Sequence, residues 1–138
     1  MKAEEAWKLV EGGFKRMDDL YGGAVFDEVA LVKLAGNRGE LLHYTGHRSS
    51  DFEAELQRDL HAIQKSLEEC REEPGAFDFS FEGEGTAFDA FMTLGADIFL
   101  LCNRLDGTTK DITRNPRWLA AQEAFVDLSQ RFAVNPVV

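Results

Sequence analysis

The sequence predicts an α+β fold, a five-stranded antiparallel sheet flanked by three helices in the order α-ββ-α-βββ-α. Two patterns carry this reading. Three segments repeat apolar residues at spacings of three and four, the stripe of an amphipathic helix, and Phe77, Phe79 and Phe81 alternate with polar residues at the period of a strand. A third observation separates the segments: Gly-Asn-Arg-Gly, Gly-Glu-Gly and Gly-Ala-Asp sit between the apolar stretches, where glycine and asparagine tolerate turn geometry.

In chain order, Trp7, Val10, Phe14, Met17 and Tyr21 stripe a first helix over residues 3–20. Gly12 and Gly13 fall in its middle, each costing about 1 kcal/mol against alanine, so close packing or a bend is expected there. Strands follow at 29–35 and 40–45, joined by Gly36-Asn37-Arg38-Gly39 as a tight hairpin. Ser50-Asp51-Phe52-Glu53 has capping-box spacing and opens a second helix, along which Phe52, Leu56, Leu60, Ile63, Leu67 and Cys70 form the stripe before Pro74-Gly75. A three-stranded meander comes next, with strands at 76–82, 86–94 and 98–102. The last of these, Ile98 to Cys102, is wholly apolar and suits the sheet centre. Asn115-Pro116 then offers an N-cap and a first helical position, and Trp118, Ala121, Phe125, Leu128 and Phe132 stripe a third helix that Asn135-Pro136 stops.

A chain of 138 residues suits a single domain, 1–138, because two units of half that length would each bury too little apolar surface. Fifteen Lys and Arg against twenty-five Asp and Glu leave a net charge of -10, which repels nucleic acid and anionic membranes. No apolar run reaches the roughly 18 residues of a membrane span, and the N-terminus enters a charged helix. Cys70 and Cys102 stand outside any C-x-x-C setting, so a reduced, cytoplasmic environment is expected.

No catalytic, cofactor or metal residues are assigned. Leu105-Asp106-Gly107-Thr108 after an apolar strand resembles the haloacid-dehalogenase motif, but Arg104 stands where the nucleophilic aspartate belongs, and arginine cannot form an aspartyl-phosphate. His43 and His47 are four apart at a strand end, where that spacing does not converge on a metal. Neither cysteine has an evident histidine partner, no G-x-S-x-G occurs, and no P-loop makes the chain itself a GTPase. Glu84 and Asp89 read as a solvated strand face.

The order helix, two strands, helix, three strands, helix over about residues 3–133 resembles the roadblock family, relatives of dynein light chain 7 and of bacterial and archaeal regulators of Ras-like GTPases. At residue level the likeness rests on the hairpin from Val29 to Thr45 with its glycine-containing turn and on the meander from Ala76 to Asn103. The resemblance implies a non-catalytic homodimeric adaptor or regulator whose partner is a Ras-like small GTPase or a scaffold component. It also implies a dimer through an edge strand and the second helix, with Leu56, Ile63, Leu67, Phe77, Phe79 and Phe81 at the interface. Arg104 and Arg114 are the loop arginines a GTPase-activating finger would draw on, although neither is assigned that role. The alternative is a small-ligand sensor with an apolar pocket between sheet and helices, to which Phe88, Phe91, Phe99 and Phe125 would contribute.

Overall fold

The computed structural model describes residues 1–35, 38–46, 73–81, 88–104 and 116–138, with the backbone alone at 80, 81, 88, 89 and 104. The helix expected over 50–70, with Leu56, Ile63 and Leu67, lies outside these residues. So do residues 36–37 of the expected hairpin turn, His47, and the connection expected at 105–115 with Arg114.

Helix α1 (Ala3–Tyr21) buries Ala6, Trp7, Val10, Phe14 and Met17, the face set by its apolar spacing. Glu4 and Glu5 in the first turn complement the positive end of the helix dipole. Gly22 ends the helix in the left-handed conformation at φ +87°, its N–H donating to Asp18 O at 2.8 Å. The C-terminal helix α2 (Pro116–Val134) buries Trp118, Ala121, Ala124, Phe125, Leu128 and Phe132. The two helices pack side by side. A Cβ on Gly13 would stand 3.6 Å from Leu128 Cδ2, so one of the two mid-helix glycines lies at the contact, while Gly12 faces open space. At the rim of that contact Arg16 pairs with Asp127 at 3.3 Å.

Strands β1 (Glu28–Ala35), β2 (Arg38–Gly46), β3 (Phe77–Phe81), β4 (Phe88–Gly95) and β5 (Ile98–Arg104) form one sheet in the order β2-β1-β5-β4-β3. Every pairing is antiparallel. The apolar strand β5 is central, β3-β4-β5 is a meander, and β2 and β3 are the edges. The fold is therefore α+β, with a five-stranded antiparallel sheet.

Alternation divides the strands between two clusters. Val29, Leu31, Met92, Leu94, Leu100 and Cys102 point toward α1 and α2 and join the main core. Ala30, Val32, Phe91 and Phe99 point the other way, and Val32 and Phe99 are fully buried there as well. A bulge adjusts β2: Leu31 pairs with His43 and Val32 with Leu41, leaving Leu42 as the extra residue. Leu42 joins the helix-side core, whereas Leu41 stays with the opposite cluster.

Beyond α2 the chain turns back onto the β4–β5 hairpin. Val137 N–H donates to Leu94 O at 2.8 Å, and Val137 is buried. The Met1 ammonium donates to Pro136 O at 3.0 Å and Val138 N–H to Met1 O at 2.9 Å, so the two ends of the chain are tied together. Among the described residues no helix is long and apolar enough to cross a membrane.

Candidate functional site

Two features of the described residues offer themselves for binding: β3, the last strand of the sheet, and a groove beside α1.

On β3, the bond from Thr93 N–H to Ala76 O at 2.9 Å sets the phase of the ladder. Asp78 and Ser80 then exchange bonds with β4, and the N–H and C=O groups of Phe77, Phe79 and Phe81 face away from the sheet. Phe79 N–H is taken by Asp78 Oδ1 at 2.9 Å, a local cap on the exposed edge. The aromatic rings point perpendicular to that edge. Phe77 lies 5.6 Å from Phe125, and Phe79 lies 4.6 Å from Trp118 and 5.1 Å from Phe125, centroid to centroid. Of the expected interface residues, Phe77 and Phe79 thus pack beneath α2 of the same chain while their backbone groups lie at the edge; the Phe81 side chain lies outside the described residues.

The groove, of about 500 Å³, runs between α1, the loop into β1 and the end of β2. Trp7, Val10 and Phe14 of α1 form its floor with Phe26 and Val29, all of them buried. The 3.6-residue period of α1 places Glu11, Lys15 and Asp18 along the same side, and Asp27 and Thr45 complete the rim. Asp18 Oδ1 accepts Val25 N–H at 2.8 Å, which folds the Gly22-Gly23 turn back toward the helix. Desolvation raises the Asp18 pKa above the ordinary carboxylate value; the Val25 amide opposes this and neighbouring Asp19 adds to it. At one end His43 stacks on Trp7, ring centroids 5.3 Å apart and 11° from parallel.

On the opposite face of the sheet, Glu28 accepts the Tyr44 hydroxyl and, at 2.9 Å, Asn103 Nδ2, linking β2, β1 and β5. Among the described residues no partner reaches the buried Asn103 Oδ1.

Cys102 is fully buried, and burial pushes its thiol well up, which suits a packing role and not a nucleophile. Among the described residues no His, Cys, Asp and Glu cluster could hold a metal ion. Of the rings expected around a ligand, Phe91 and Phe99 belong to one cluster and Phe125 to the other, on opposite faces of the sheet, and the Phe88 side chain lies outside the described residues. The groove instead uses Phe26, which sits in a connection and shows no periodicity. Its nearest sequence signal is an apolar pair, Val25-Phe26, just after the Gly22-Gly23 break.

No family model matches the chain, and no curated protein matches it. Among solved structures it is similar to the crystal structure of Pseudomonas aeruginosa HmgR, with a TM-score of 0.42 and 10% identity, covering 93% of this chain and 67% of that one.

Proposed function

We propose that the protein is a non-catalytic, homodimeric adaptor or regulator that pairs with a second copy through β3 and engages a Ras-like small GTPase or a scaffold component. One observation carries the pairing: β3 is a sheet edge whose Phe77, Phe79 and Phe81 backbone groups face outward, the arrangement that strand addition uses. The order of the described elements, which follows the roadblock resemblance outside the helix expected over 50–70, and the acidic composition, which disfavours nucleic acid, are consistent with it.

Light scattering at micromolar concentration tests the dimer. The expected mass is twice that of a 15.5 kDa chain, and a mass near 15.5 kDa sinks the reading. Hydrogen exchange locates the interface: the Phe77 and Phe81 amides slow as concentration rises if β3 pairs, and concentration-independent exchange excludes that edge. Calorimetry with a Ras-like GTPase from the same organism tests the partner. Nucleotide-dependent affinity is expected, and no heat with either the GTP or the GDP form removes the GTPase from the proposal.

The groove favours a second reading, a small-ligand sensor, because its volume falls within the range of small-molecule sites and its floor is apolar.

A further inference from the structure

The groove beside α1 combines an aromatic floor with a rim that, among the described residues, holds three acids and one base. Phe14 and Phe26 meet in it at 5.1 Å between centroids. Of the ionisable groups that line it, Glu11, Asp18 and Asp27 are acids and Lys15 is the sole base among the described residues. Glu11 and Lys15 are exposed at the mouth, whereas Asp18 is half-buried and lies deeper. Its Oδ1 is engaged by the Val25 amide, but a carboxylate has about four acceptor positions, so one N–H leaves capacity for a second donor.

Resting on the small-ligand reading of this groove, we propose that it binds a small organic cation, a primary ammonium on a flat apolar body, with the ammonium at Asp18 and the body over Phe14 and Phe26. Three features favour a cation over a neutral or anionic ligand. Among the described residues the rim carries more acids than bases, the chain as a whole has a net charge of -10, and aromatic faces attract cations. An ammonium beside Asp18 also sets an opposite charge against a partly desolvated carboxylate, which favours its ionised form. The flat body follows from the two rings of the floor.

The test is a titration of the whole protein, followed by amide NMR at neutral pH, with three ligands of one shape: phenethylamine, 2-phenylethanol and 3-phenylpropanoate. Phenethylamine is expected to give saturable shifts at Asp18, Val25 and Phe26, with the alcohol and the carboxylate binding at least about tenfold more weakly, the cost of losing a charge-assisted hydrogen bond. Asp18→Asn keeps the acceptor for the Val25 amide and removes the charge, and it should weaken phenethylamine about tenfold while leaving the alcohol unchanged. Equal binding of the alcohol overturns the cation assignment but leaves the groove as a ligand site. No saturable shift with any of the three ligands overturns both.

Discussion

The ring of Phe79 stands edge-on against the indole of Trp118, centroids 4.6 Å apart and planes at 79°. This contact ties the edge strand β3 to α2 in a geometry that aromatic quadrupoles favour. Phe79 is only partly buried, so Phe79→Ala is expected to cost about 2–3 kcal/mol, below the range of fully buried phenylalanines. Urea denaturation monitored at low protein concentration checks it. The midpoint should fall with the slope unchanged, and an unchanged midpoint would mean that the ring serves association alone.

The glycines make opposite predictions. Gly12 lies in the middle of α1 with open space where a Cβ would be, so Gly12→Ala should stabilise by about 1 kcal/mol through helix propensity. Gly75 has φ +94°, a Cβ there would meet Ser129 O at 2.5 Å, and its own carbonyl accepts the Ser129 hydroxyl at 2.6 Å. Gly75→Ala should therefore cost about 2 kcal/mol or more. Thermal melts of the two variants beside the parent should move in opposite directions. A shared direction would contradict the placement of one of them.

Thr93 is fully buried on the face shared by Phe91 and Phe99, and no partner among the described residues reaches its hydroxyl. Leaving a buried hydroxyl unsatisfied costs about 1–3 kcal/mol. Valine has nearly the same shape, so Thr93→Val should raise stability by about 1 kcal/mol. Chemical denaturation decides this, and a loss of stability would show that the hydroxyl has a partner.

What the sequence disclosed depended on range. Phe77 and Phe79 declare their shared face by a period of two, and Trp118, Phe125 and Phe132 declare theirs by a helical period, because each pattern lies within a few residues. Ile98 to Cys102 reads as a central strand because it is apolar on both faces, and β5 is central. Its continuation to Arg104 was not legible: Asn103 is polar and joins the sheet through Glu28 and the Asp27 amide, which are distant in sequence. The Leu42 bulge is hidden in the same way, since Leu41-Leu42-His43 shows no break until β1 supplies the register. The groove is the least legible feature. Trp7 and Phe14 read only as core, and the space beside them exists because Phe26 and Asp27 return to α1 from a connection.

Asp18 makes the stability of the protein depend on pH with a definite sign. Burial, the largest influence, raises its folded pKa above the ordinary carboxylate value of 3.8 against the opposing pull of the Val25 amide. The folded state therefore holds this proton more tightly than the unfolded chain does. Stability from this group is greatest at acid pH, declines as pH rises from the unfolded value through the raised folded one, and is level above it. Asp18→Asn retains a side-chain oxygen for Val25 N–H but does not titrate. At neutral pH the variant is expected to be the more stable protein, and the gap should close as pH falls toward the unfolded carboxylate value. Urea midpoints of the two proteins across a pH series measure the difference, and carboxylates that do not interact with Asp18 cancel between them. The opposite result, a parent more stable at neutral pH with its advantage lost in acid, would mean that the Val25 hydrogen bond outweighs desolvation.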